Sequence, residues 1–216
     1  MIRSLYALAV TALALLTGAP PAAAQDAAPD ALVRKSIDEV LAIIKADKEL
    51  QNGNPGKLHA LVEEKVIPHF DFNRMTRLAV GRSWSQASDA QKQALTREFQ
   101  TLLVRTYSTS LSQYRNQTID VKPAKIVAGD KETMVRTVVN QPGGQPIPID
   151  YGMERTDGGW KVFDVVVDGV SLVTTYRSSF NDQIQKSGVD GLVKTLSDRN
   201  RSSDAPKAAV KVDLKK

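Results

Sequence analysis

The sequence predicts an α+β domain: helices first, then an antiparallel meander of about four strands, then helices again. Three observations carry this. Apolar residues recur at helical spacing from Val33 to Leu111, the period changes to alternation at Thr118, and short turns rich in Gly separate the alternating segments. Turns that short join neighbouring strands as hairpins, so the sheet is antiparallel.

Ahead of the domain, residues 1–24 read as an export leader. Arg3 gives a positive start, Leu5 to Thr17 an apolar run, and Ala22-Ala23-Ala24 the small residues a signal peptidase reads, which places cleavage before Gln25. The apolar run is shorter than the about 20 residues of a membrane span. Cleavage leaves 192 of the 216 residues, enough for one domain with its own core, and a bacterial periplasm is the natural compartment. The chain has no cysteine, which excludes disulfides, thiol chemistry and a lipidated cysteine. Its formal charge of +5 does not indicate a nucleic-acid partner. Arg3 leaves with the leader, and residues 199–216 carry Arg199, Arg201, Lys207, Lys211, Lys215 and Lys216 against Asp204 and Asp213, so residues 25–198 are close to neutral. The excess charge belongs to a basic tail that reads as disordered, with attraction to anionic headgroups as its alternative use.

Residues 25–30 lead into a first helix in which Val33, Ile37, Val40, Leu41 and Ile44 form one apolar stripe, running until Gly53-Asn54-Pro55-Gly56. A second helix from Lys57 to Val66 buries Leu58, Leu61 and Val62 before Pro68. Asp71 can cap a short helix that Gly81 closes, and Ser88 with Gln91 forms a capping box that opens the longest helix, reaching about Tyr114. Strands follow at Ile119–Val121, resuming past Pro123 at Ala124, Ile126 and Ala128, then at Thr133–Asn140, Ile147–Met153 and Trp160–Val167. A helix from Val170 to Gln185 stops at Gly188, and a last short helix holds Leu192, Val193 and Leu196.

In the last strand a regular pleat turns Trp160, Val162 and Val166 to one face and Phe163, Val165 and Val167 to the other. Both faces are apolar, so both need cover: packed core on one, helices or an apolar ligand on the other. Strand parity and helical spacing give a candidate lining of Phe72, Met75, Leu78, Phe99, Leu103, Ile147, Ile149, Tyr151, Met153, Phe163, Val165, Val167, Leu172, Val173 and Tyr176. These residues are solid core unless the sheet is hollow. Asp164, inside an apolar strand, must find partners or shift its pKa, which makes it a candidate proton-transfer base; pairing or capping is the plainer account. Asp71, beside His69, raises the same choice. No phosphate loop, nucleophile elbow, metal-ligand spacing or cofactor motif occurs, so no catalytic residue and no cofactor is assigned.

The segments Ile67-Pro68-His69-Phe70-Asp71-Phe72, Ala79-Val80-Gly81-Arg82-Ser83-Trp84, Trp160-Lys161-Val162-Phe163-Asp164 and Asp168-Gly169-Val170-Ser171-Leu172-Val173-Thr174-Thr175-Tyr176, in that order after a leader, resemble the MlaC family, also known as toluene tolerance proteins. The likeness runs from about Ala31 to Ser197. It implies an NTF2-like cone of curved sheet packed with helices, joined to a helical part, enclosing the acyl chains of a glycerophospholipid. By the same resemblance the protein is a periplasmic carrier, not an enzyme, serving an outer-membrane lipoprotein–porin complex and an inner-membrane ABC transporter complex in outer-membrane lipid asymmetry. The candidate lining is then lipid-binding. Headgroup, chain number and transport direction stay open, as does a hopanoid-type lipid in place of the phospholipid. The alternative is an enzyme on the same cone with Asp164 or Asp71 as base. Loading two chains requires opening, for which the helix from Val170 to Gln185 or that from Phe72 to Val80 is expected to move against the sheet.

Overall fold

The structure, a computed structural model, describes residues 27–127 and 129–202, without the side chain of Thr109. The leader and residues 203–216 of the basic tail lie outside the described residues. Helix α1 (Pro29–Ala46) begins with proline at its first turn and ends earlier than the sequence predicts. Asp47 leaves the helical conformation, and its carboxylate accepts the amides of Glu49 (2.8 Å) and Leu50 (3.3 Å), starting a separate one-turn helix α2 (Lys48–Gln51). Helix α3 (Pro55–Lys65) is capped by Asn54 and buries Leu58, Leu61 and Val62. A 3-10 turn (Ile67–His69) leads to α4 (Phe72–Val80), where Asp71 accepts the Arg74 amide at 2.8 Å, as the sequence predicts. After a 3-10 helix (Gly81–Gln86), α5 (Asp89–Leu111) opens with the reciprocal Ser88–Gln91 bonds of 2.9 and 3.2 Å.

Five strands follow in one antiparallel meander in sequence order, so the sheet is not closed: β1 (Thr118–Val121), β2 (Glu132–Asn140), β3 (Ile147–Thr156), β4 (Gly159–Val167) and β5 (Val170–Ser171). The fifth strand corrects the count of about four. Asp168 and Gly169 both have positive φ (49° and 77°), which is the two-residue primed turn that matches strand twist, and it folds Val170 back onto Val167 before the helix begins. Another correction lies after β1. Pro123 removes a ladder donor, and residues 122–127 run beside β2 without forming strand, tied by the Lys122 amide to the Arg136 carbonyl at 2.9 Å.

Helix α6 (Leu172–Arg201) is two helical pieces joined at Gly188, whose φ of 69° and ψ of −176° break it where the sequence predicts a stop. The second piece extends into the segment read as tail. Asn200 donates to the Glu98 carbonyl and carboxylate at 2.8 and 2.7 Å, so Arg199 and Arg201 belong to this helix.

The register of β3 against β4 overturns the regular pleat. Gly152 pairs with Asp164 but Met153 pairs with Val162, leaving Phe163 as the extra residue of a β-bulge. One inserted residue reverses parity, so Trp160 and Val162 share a face with Val165 and Val167, while Phe163 points to the opposite face. There its ring covers Gly152: a Cβ on that glycine would stand 3.3 Å from two ring atoms. The Arg74 guanidinium lies over the same ring, 3.7 Å from its centroid, and pairs with Glu154 and, at 2.6 Å, with Glu132. The bulge thereby ties α4 to β2, β3 and β4.

Packing divides the molecule into a solid part and a hollow part. Between α4, α5 and α6 the buried Phe99 meets Tyr176 and Phe180 edge-on at 5.0 and 5.1 Å, with Met75, Leu95, Leu102, Val173, Leu192 and Leu196 around them. Val33 of α1 packs with Val121, Val135, Met153, Trp160 and Val162 of the sheet, and Val40 and Ile44 pack with Leu50, Leu58 and Leu61.

Candidate functional site

Between these clusters lies a cavity of about 350 Å³, within the usual range of about 300–1,000 Å³ for ligand sites. Its wall is built from every layer of the fold. Helix α1 contributes Leu32, Val33, Ser36, Ile37, Val40 and Leu41; the α3–α4 region contributes Val62, Val66, Ile67, His69, Phe70, Phe72 and Met75. Helix α5 and the residues after it supply Leu103, Val104, Tyr107, Ser108, Ser110, Leu111 and Tyr114. The sheet presents Ile119, Val139, Ile149, Tyr151, Met153, Val162, Val165 and Val167, and α6 adds Leu172 alone.

An interior so lined solvates hydrocarbon and repels charge. The few polar groups on the wall behave accordingly. Burial pushes the Tyr151 phenol up to about 12, with a hydrogen bond to Thr137 pulling the other way. His69 is held below the usual imidazole range by burial first and by the neighbouring Lys161 ammonium second, so the wall carries a neutral imidazole at pH 7.

Of the residues the sequence points inward, Phe72, Met75, Leu103, Ile149, Tyr151, Met153, Val165, Val167 and Leu172 stand on this wall. Six do not. Phe99, Val173 and Tyr176 fill the solid core between α4, α5 and α6, with Leu78 packed against it, because helical spacing names a buried face without saying whether it meets protein or space. Ile147 packs on the Val167–Leu172 cluster, one step beyond the wall. Phe163 is turned outward by its own bulge. Sequence reasoning missed Val162 for the same reason, although Gly152 inside a strand pattern was the available signal of a bulge. It also missed the whole contribution of α1, whose apolar stripe Val33, Ile37, Val40 and Leu41 was visible but had no assigned partner.

Neither candidate base lines the cavity. Asp164 accepts the amides of Val165 (2.9 Å) and Val173 (3.1 Å) and the Ser171 hydroxyl (2.5 Å), while Ser171 accepts the Thr174 amide at 3.0 Å. The pair caps α6 and fixes it to β4. Asp71 spends one oxygen on the cap of α4. Among the described residues no helix is long and apolar enough to cross a membrane.

Comparison with known proteins agrees with this geometry. The chain is similar to a phospholipid-binding protein from Ralstonia solanacearum, solved in complex with a phospholipid: identity is 43%, the TM-score is 0.75, and the match covers 81% of this chain and 97% of that one. It is 30% identical over 185 residues to toluene tolerance protein ttg2D of Pseudomonas putida, covering 85% of each chain. Over 174 residues it is 23% identical to the intermembrane phospholipid transport system binding protein MlaC of Haemophilus influenzae, covering 79% of this chain and 81% of that relative. The family model described as MlaC protein matches residues 34–198, and the chain belongs to that family.

Proposed function

We propose that this protein is a periplasmic carrier that holds the acyl chains of a glycerophospholipid in the cavity and shuttles the lipid between an outer-membrane lipoprotein–porin complex and an inner-membrane ABC transporter complex, sustaining outer-membrane lipid asymmetry. The apolar cavity between α1, α5 and the sheet carries the reading, and the phospholipid held by the similar Ralstonia solanacearum protein supports it. Each methylene removed from water gains about 0.8 kcal/mol, so two chains of about sixteen carbons gain on the order of 25 kcal/mol. Membranes offer the chains the same shelter, which leaves exchange nearly balanced.

The lipid-binding residues are Phe72, Met75, Leu103, Ile149, Tyr151, Met153, Val165, Val167 and Leu172, with Leu32, Val33, Ile37, Val40 and Leu41 of α1 added. Helix α1 is also the element that opens, in place of α4 or α6. Helix α4 is clamped through Arg74 to Glu132 and Glu154, and α6 contributes only Leu172 to the wall, whereas α1 supplies a whole side and ends in a non-helical joint at Asp47. Its guanidinium tie to the sheet is one bond, from Arg34 Nη2 to the Val121 carbonyl at 2.6 Å.

The test is extraction of the protein, purified from a periplasm, with organic solvent and mass analysis of what is released. Stoichiometric diacyl phospholipid is the expected result. A lipid-free protein that cannot be loaded defeats the proposal.

A further inference from the structure

Tyr107 stands at the boundary between the hollow and the solid parts of the molecule. It follows Leu103 and Val104 on α5 by about one helical turn, so these residues share the stripe that faces the cavity. The same side chain packs against the core cluster that holds Phe99, Tyr176 and Phe180, and against the Val167–Leu172 cluster. The Tyr176 hydroxyl is hydrogen-bonded to Thr106 and to Tyr107, and Tyr176 stands behind Tyr107, off the cavity wall. One ring therefore separates the cavity from a close-packed core.

The Val167–Leu172 cluster marks one end of the cavity. Val167 pairs with Val170 across the Asp168-Gly169 turn and Leu172 opens α6 directly afterwards, so the hairpin and the helix start close the fold there. Among the described residues no member of α1 packs in either cluster that Tyr107 joins. Helix α1 packs instead with Val121, Met153 and Val162 of the sheet, and with Leu50 and Leu58. Val165 borders both the α1 side and the Val167 side. A chain that enters past α1 thus runs by Val165 and meets Tyr107 last.

We infer, on the reading of this protein as a lipid carrier, that Tyr107 is the end wall of the cavity and sets the longest acyl chain it shelters. With its hydroxyl spent on Tyr176, Tyr107 has aromatic carbon left for the terminal methyl of a chain. An untethered apolar side chain would yield to a longer chain, whereas a ring tethered in front of a close-packed core holds its place. Each methylene that the wall keeps out stays unsheltered, at about fourfold in occupancy.

The full chain is loaded by incubation with vesicles holding equal parts of dimyristoleoyl, dipalmitoleoyl, dioleoyl and dieicosenoyl phosphatidylglycerol, and the bound species are counted by native mass spectrometry. The wild type is expected to take the shorter species up to a limit and to discriminate against those beyond it. Tyr107→Ala frees room for about four methylenes after partial collapse of the wall, so the limit moves to longer chains. The first species that the wild type excludes then gains about fifteenfold over its shorter neighbour, from two methylenes at about fourfold each. Tyr107→Leu, a milder truncation, moves the limit the same way and stands in where circular dichroism shows that the alanine variant has not folded. Tyr114→Ala removes a similar volume of wall beside α1, where Lys45 Nζ lies 5.6 Å from the ring centroid, and is expected to weaken retention of every species alike. If it shifts the length profile as far as Tyr107→Ala does, cavity volume and not an end wall sets the limit, and the inference falls. A wild type without a length limit, or folded Tyr107 variants with the wild-type profile, also overturns it and leaves the carrier reading intact. A wild type that takes up none of the species overturns the carrier reading, and this inference with it.

Discussion

If α1 is the gate, weakening its tie to the sheet must speed lipid exchange. Arg34→Ala removes the bond from Arg34 Nη2 to the Val121 carbonyl while leaving Val33, Ile37 and Val40 packed. Hydrogen bonds from charged groups are worth about 1.5–3 kcal/mol, and the exposure of Arg34 reduces this one to about 1 kcal/mol. Opening that breaks the bond before the barrier then becomes about fivefold faster, at the same cost of about 1 kcal/mol in stability. The assay is transfer of a fluorescent phospholipid from loaded protein to acceptor vesicles, run beside urea unfolding. Arg74→Met is the control. It leaves Glu154, whose side chain is only 19% exposed, without its partner, and is expected to cost about 3 kcal/mol of stability. If the Arg74 variant accelerates transfer more than the Arg34 variant does, α4 is the moving element and the assignment to α1 is wrong.

Other substitutions test the surrounding framework. Gly152→Val places its Cβ against the Phe163 ring and is expected to cost about 1–3 kcal/mol in urea unfolding; adding Phe163→Ala should recover much of that, and additive losses would mean the ring does not cover Gly152. Asp164→Asn deprives the Ser171 hydroxyl of its acceptor and should lower stability by about 1–2 kcal/mol with lipid content unchanged, whereas a stable variant that has lost a catalytic turnover would revive an enzymatic role. The depressed pKa of His69 makes its contribution to stability fully present above pH 6.5 and lost as pH falls through the lower folded value. Urea midpoints should therefore drop as pH falls below 6.5 by an increment that His69→Gln removes, and an identical pH profile in that variant contradicts burial as the cause.

The elements that local chemistry encodes were legible in the sequence. The Asp71 cap, the Ser88–Gln91 box and the Gly188 break depend on neighbours within a few positions, and each is where the pattern puts it. The site was legible only in part, because two of its determinants are not local. The parity of β4 depends on one unpaired residue, Phe163, whose position is decided by the space above Gly152 on another strand. The side of the cavity that α1 forms depends on where an amphipathic helix docks, and periodicity gives the face without the destination. Phe99 and Tyr176 illustrate the converse. They look like lining because they are large, apolar and correctly spaced, yet they meet each other edge-on and leave no space between them.

The division between solid and hollow has an energetic consequence for a carrier. A void lined by hydrocarbon costs about 24 cal/mol per Å³ in lost contacts, so 350 Å³ kept free of ligand and solvent would cost on the order of 8 kcal/mol, comparable with the whole stability of a typical domain. Such a fold must have its rigidity elsewhere. Here it lies in the Phe99–Tyr176–Phe180 core and in the Arg74 clamp on Phe163, Glu132 and Glu154, both outside the wall. Helix α1 belongs to neither, so it can move away from the cavity without disturbing the contacts that hold α4, α5 and α6 together. The bulge at Phe163 serves both requirements with one residue. It turns Val162 and Val165 inward onto the cavity wall, and it places an aromatic ring outward where an arginine can fasten the sheet to the helices that must stay in place.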